Sequence, residues 1–164
     1  MNKLEKALHY AKMQASRCSP YVWGGQGQKV KTLTVAKLAS MENSGSNAGR
    51  VMEFIYNHKS LITKYSKIFD CSGFVICALI YAGILPSGYD DTANGLMHSN
   101  RFIEVPFKDR RAGDLIFKFE NDKAYHVGLM TGDNLVTEAK GRAYGVIENR
   151  LDSVWSVCRR PKYD

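Results

Sequence analysis

Apolar positions along the chain change their period near residue 100. Before it they recur at helical spacing, and after it they alternate. Leu4, Leu8, Ala11 and Ala15 form one stripe and predict an amphipathic helix over 3–17, ended by Ser19-Pro20. Tyr21-Val22-Trp23-Gly24-Gly25 closes on paired glycines and predicts a tight turn or a close backbone approach, with Trp23 packed. Over 26–68 the pattern weakens to a helix at 35–41, a polar loop at 43–49 and a helix at 50–56. Positions 74–81 are apolar on all sides, a run that suits a buried strand or a buried helix. Gly83 as a stop, Pro86 beyond it and the alanines Ala78 and Ala82 favour the helix, with Asp70 as its N-cap. Strands are expected at 102–105, 114–119, 126–131, 135–139 and 146–149. Helices followed by a meandering antiparallel sheet define an α+β fold.

The chain's 164 residues and 18.4 kDa suit one compact domain, 1–164, with 26–68 as an insertion. The longest apolar stretch, 74–85, falls well short of the ~20 residues that cross a bilayer, so no stable membrane insertion is expected. The net charge of +7 favours an anionic partner. Its densest runs, Arg110-Arg111 and Arg159-Arg160-Pro161-Lys162, lack interleaved aromatics; they read as solvated surface and count against nucleic acid. Residues 1–19 carry charges throughout and no apolar core, so the expectation is synthesis in a cytoplasm without a signal peptide. None of the four cysteines forms a Cys-x-x-Cys pair and no acidic cluster stands out, so no metal or other cofactor is expected.

Asp70-Cys71-Ser72 sets a thiol in the first turn of the expected buried helix. Free amides and the helix dipole there favour a thiolate, below an ordinary pKa near ~8.5, and could also serve an oxyanion. A nucleophilic cysteine needs a base, and His126 opens the expected strand His126-Val127-Gly128. An isolated cysteine is more often a core residue, the reading given to Cys18, Cys77 and Cys158. A three-residue Gly132-Asp133-Asn134 loop sets Glu138 opposite Gly128, on the same face as His126 and ~7–8 Å away at the backbone. A two-residue loop puts the two on opposite faces. His9, His58 and His98 belong to no such arrangement.

Tyr21 to Gly25, Asp70-Cys71-Ser72-Gly73-Phe74, Ala112-Gly113-Asp114-Leu115 and His126-Val127-Gly128 stand in the order and character of the NlpC-type cysteine peptidases. The resemblance implies a papain-like fold and hydrolysis of peptidoglycan. The expected bond is an amide of the stem peptide, γ-D-glutamyl to a diamino acid. It implies Cys71 as nucleophile, His126 as base and Glu138 as the orienting third residue. Most members have histidine there; the segment from Glu138 to Val146 resembles a phage-lysin-like branch with glutamate. The same resemblance gives substrate-binding roles to Tyr21 beside the cysteine and to Asp70, which meets a stem-peptide amino end. Ser72 and Arg142 join them, the arginine facing a stem-peptide carboxylate. An N-acetylmuramoyl-L-alanine amidase and an inactive wall-binding module are the alternatives. Action on the wall would follow release as a phage lysin or delivery as an effector, or belong to a domain cut from a longer protein.

Overall fold

A computed structural model describes residues 1–164. Six antiparallel strands form the main sheet: β3 (Ile103–Val105), β4 (Leu115–Glu120), β5 (Lys123–Gly132), β6 (Leu135–Gly141), β7 (Gly145–Arg150) and β8 (Trp155–Arg160). Their order is β3-β8-β4-β5-β6-β7, so β8 returns to lie between β3 and β4. Alternation divides the sheet's two faces. Leu115, Phe117, Val127, Leu129 and Ala139 join the main core; Ile116, Met130, Val136, Trp155 and Cys158 form a smaller cluster on the other side.

The main core is completed by α1 (Lys3–Ser16), α4 (Cys71–Tyr81) and α5 (Ala93–His98). The α1 stripe that faces inward is Ala7, Tyr10, Ala11 and Gln14, rotated from the expected Leu4, Leu8, Ala11 and Ala15. Fully buried Ala7 and Ala11 admit close packing, while the Tyr10 ring meets Phe69 edge-on at 6.4 Å. The apolar run at 74–81 is helical, as its Gly83 stop predicts; Gly83 has φ +74°. Asp70 caps it through Oδ1, which accepts from Gly73 N at 2.7 Å.

The 26–68 excursion leaves and returns through a two-stranded ribbon, β1 (Gln26–Lys29) and β2 (Lys67–Phe69). Between them lie α2 (Val35–Glu42) and α3 (Gly45–Asn57), closing their own cluster of Val22, Leu38, Ala48, Val51 and Ile68. The polar loop expected at 43–49 is shorter. Ser44 accepts from Asn47 N and starts α3 at Gly45, because the cap outweighs the local glycines. Strands β1, β2 and β8 and helix α5 are too short or too polar to show a clear period.

The basic runs are not simply solvated surface, which corrects the sequence reading. Arg160 holds both oxygens of buried Asp114, each at 2.7 Å, and Arg159 bonds Met97 O and Glu104. Arg110 reaches Phe107 O and Asn134. All four cysteines are free thiols.

The paired glycines make the expected close approach. Asp70 N donates to Gly25 O at 2.9 Å, and a Cβ on Gly73 would overlap that same oxygen. We expect Gly73→Ala to cost about 3 kcal/mol in urea unfolding. Gly49→Ala, in α3 with open space around it, should be neutral or stabilising by up to ~1 kcal/mol. Equal effects at the two glycines would refute the packing argument.

Candidate active site

Cys71 is the first residue of α4, and its side chain packs at the edge of the main core. Gly73 N is taken by the Asp70 cap and Phe74 N by Asp70 O, whereas Cys71 N and Ser72 N have no acceptor within the protein. Both amides bear on the Cys71 sulfur, as does Val127 N–H on β5. They do not win. Burial, and then the neighbouring Asp70 carboxylate, push the Cys71 thiol up to about 11. The expectation of a thiol lowered by the helix terminus is overturned, because desolvation outweighs the pull of the three amides.

Val127 N–H reaches the thiol because β5 and β6 part there. Their ladder runs from the turn only to Leu129–Thr137, although both strands continue. The connecting loop is two residues, Asp133-Asn134, not three. A bulge between Met130 and Gly132 supplies the missing residue, so Leu129 faces Thr137 and Met130 faces Val136. That is the register the longer loop predicted. His126 and Glu138 consequently share a face, with His126 Nε2 2.9 Å from Glu138 Oε1. His126 does not open its strand; it is the fourth residue of β5, just past an irregularity that leaves Tyr125 half exposed.

A carboxylate only accepts, so Nε2 carries the hydrogen and Nδ1 is the basic nitrogen. Nδ1 makes no hydrogen bond within the protein, and no hydrogen bond yet joins Cys71 to the imidazole. Such contacts commonly tighten when substrate binds. Glu138 is buried, and Asn149 Nδ2 donates to its second oxygen at 3.5 Å. The indole of Trp155 lies 5.3 Å from the imidazole and walls its other side. Neither Asn149 nor Trp155 stood out in the sequence, since no motif surrounds them.

Tyr21 lies buried beside the thiol, bridged to Phe69; burial first and the Cys71 charge second raise its hydroxyl. The Arg142 guanidinium sits 5.5 Å from the centre of its ring. Arg142 is also paired with Glu42, a carboxylate 5% exposed at the end of α2. The other Glu42 oxygen accepts from Trp23 N at 2.5 Å. Glu42 therefore ties the excursion to the site, a contact across 100 positions that no local pattern announces. Asp70 bonds Gly24 N at 3.1 Å, and Ser72 donates to it at 3.3 Å. Burial raises the Asp70 carboxyl against these bonds. Trp23, expected to pack, is 60% exposed, because the Gly24 turn directs it outward.

Tyr21, Asp70, Cys71 and Arg142 thus cluster about the start of α4, with the His126–Glu138 pair on the adjoining strands. The arrangement can carry out acyl transfer: a thiol nucleophile, an oriented imidazole and two free amides for an oxyanion.

The sequence matches the model of the NlpC/P60 family over residues 18–157. No curated protein sequence matches it. Among solved structures, the peptidoglycan hydrolase RipB from Mycobacterium tuberculosis superposes with a TM-score of 0.64 and 22% identity. That match covers 99% of this chain and 65% of RipB, so this chain spans just under two thirds of that protein. The P60 domain of an M. avium subspecies paratuberculosis antigen gives 0.61 and 19%, covering 98% of each chain. NlpC2 from Trichomonas vaginalis gives 0.62 and 21%, covering 100% of this chain and 48% of that one. At these identities the structural likeness establishes the fold.

Proposed function

The chain belongs to the NlpC/P60 family, and on that premise we propose that it is a cysteine endopeptidase hydrolysing an amide bond in the stem peptide of bacterial peptidoglycan. The observation that carries this reading is the His126–Glu138 pair, 2.9 Å apart, on the strand whose Val127 amide meets the Cys71 thiol. RipB, of the same fold, is a peptidoglycan hydrolase. The γ-D-glutamyl bond to a diamino acid is the bond proposed.

Substrate brings its carbonyl against Cys71. Nδ1 of His126 takes the thiol proton as sulfur attacks the carbonyl carbon, and the oxyanion meets Cys71 N–H and Ser72 N–H. Nδ1 then protonates the departing amine, leaving a thioester. Water loses a proton to Nδ1 and attacks the thioester carbon; the C–S bond breaks, the thiolate is reprotonated and a carboxylate leaves. Glu138 steadies the imidazolium in both halves. Tyr21, Asp70, Ser72 and Arg142 contact the substrate around the reacting carbonyl, and the excursion shapes the groove through Glu42.

Mass spectrometry of fragments released from purified peptidoglycan tests this, comparing the parent with Cys71→Ala. New L-Ala-γ-D-Glu ends that depend on Cys71 are expected. Intact released stem peptides would replace the endopeptidase by an amidase. Equal products from both proteins, or none across several wall types, would overturn the reading, the latter in favour of a wall-binding module.

A further inference from the structure

Most of the chain's net charge of +7 lies on the excursion. Residues 26–68 hold Lys29, Lys31, Lys37, Arg50, Lys59, Lys64 and Lys67 against only Glu42 and Glu53. Glu42 is buried on Arg142 and offers nothing to the surface. The fold then draws three of these lysines together. Val30 N donates to Ser66 O and Lys31 N to Lys64 O, both at 2.8 Å, pinning the end of β1 beside the 63–66 turn. As a result the ammonium groups of Lys29, Lys31 and Lys64 stand 5.8, 5.3 and 5.0 Å from the centre of one ring, Tyr65. None of the three has a carboxylate partner. Tyr65 is itself 57% exposed, and beside it opens a cleft of about 320 Å³ that Arg17 and Leu61 also line. Like charges held together without a counter-charge repel one another, and an anion relieves that repulsion.

We propose that this surface, Lys29, Lys31 and Lys64 around Tyr65 with Arg17 at the cleft, docks an anionic polymer attached to the cell wall. A polymer with repeating phosphate or carboxylate groups matches it better than a single anion. The cations are spread on exposed stems, and no buried donor forms a cradle for one ion. The exposed ring offers a face to a sugar between charges. A nucleic acid fits less well, because one ring gives no series of stacking platforms. The same excursion is tied to the candidate active site through the Glu42–Arg142 pair, so a polymer held here keeps that site on the wall. The choice of the wall as partner rests on the peptidoglycan reading; the anionic specificity does not.

The test measures retention of full-length protein on purified walls, in a Cys71→Ala background so that nothing is digested. The parent should bind intact walls with an affinity that falls steeply with salt. Lys29→Gln/Lys31→Gln/Lys64→Gln should bind about tenfold or more weakly, with the salt slope reduced by about 2. A variant of equal net charge, Lys108→Gln/Lys123→Gln/Lys162→Gln, alters exposed lysines elsewhere and should bind like the parent. Walls chemically stripped of their anionic polymers should hold the parent and the first variant equally. With Cys71 restored, the first variant should cleave small soluble muropeptides at the parent's rate. That readout also separates failure of the docking surface from failure of the hydrolase assignment. The proposal is overturned if the first variant is retained like the parent, or if the control variant loses as much. Undiminished retention on stripped walls overturns it too, as does tighter binding to duplex DNA or anionic vesicles at equal charge concentration.

Discussion

Alkylation of Cys71 by iodoacetamide in the free protein is expected to be slow at pH 7 and to rise about tenfold per pH unit until it levels near pH 11. The sign follows from burial. Desolvation and the Asp70 carboxylate both disfavour the anion, so the thiol stays protonated through the neutral range. With its pKa pushed up to about 11, about one molecule in ten thousand carries the thiolate at pH 7. A preformed thiolate–imidazolium pair would behave in the opposite way, reacting at a rate already on its plateau near neutrality. Rates measured from pH 6 to pH 11 by mass spectrometry of the Cys71 peptide separate the two. A flat profile would mean that the amides of Cys71, Ser72 and Val127 outweigh burial after all. The steep profile places generation of the nucleophile within the substrate complex, where the imidazole closes on the thiol and takes its proton.

That result also marks where sequence reasoning reached its limit. Position in a first helical turn is legible from Asp70-Cys71-Ser72, and with it the cap and the free amides. Burial depends on what packs over the turn, and Tyr21 and β5 each come from 50 or more positions away in the chain. The buried helix was readable because Gly83 and the alanines break the tie with a strand. The start of α3 was not, because Ser44's cap outvotes the glycines of a segment that looks like a loop. His126 and Glu138 shared a face in one of two registers, and the loop length that decides between them is offset by a bulge at Thr131. The pairing was therefore right although the loop was not. Glu42 lay beyond reach altogether, since its partner Arg142 is in another part of the chain and neither neighbourhood carries a motif.

Glu138→Gln is expected to lower kcat/KM by about 100- to 10,000-fold while leaving the fold intact. The amide matches the carboxylate in size, so the buried site keeps its packing, and its carbonyl oxygen can still accept from His126 Nε2. What disappears is the negative charge opposite the imidazolium that forms each time Nδ1 takes a proton. In a site shielded from water that charge counts for more than it would at the surface, since Glu138 is only 2% exposed. The loss should fall on kcat rather than KM, because the glutamate lies behind the imidazole and contacts no substrate. Glu138→Asp keeps the charge but withdraws it by one methylene, and should recover part of the rate. A purely structural glutamate would give a different signature. Its glutamine variant would unfold at lower urea concentration, and the aspartate would restore stability rather than turnover. Steady-state kinetics on a soluble stem peptide, alongside urea melts of the same three proteins, decide between them. Unchanged kcat in a folded Glu138→Gln would remove Glu138 from the mechanism and leave His126 to be oriented by Trp155 and the strand alone.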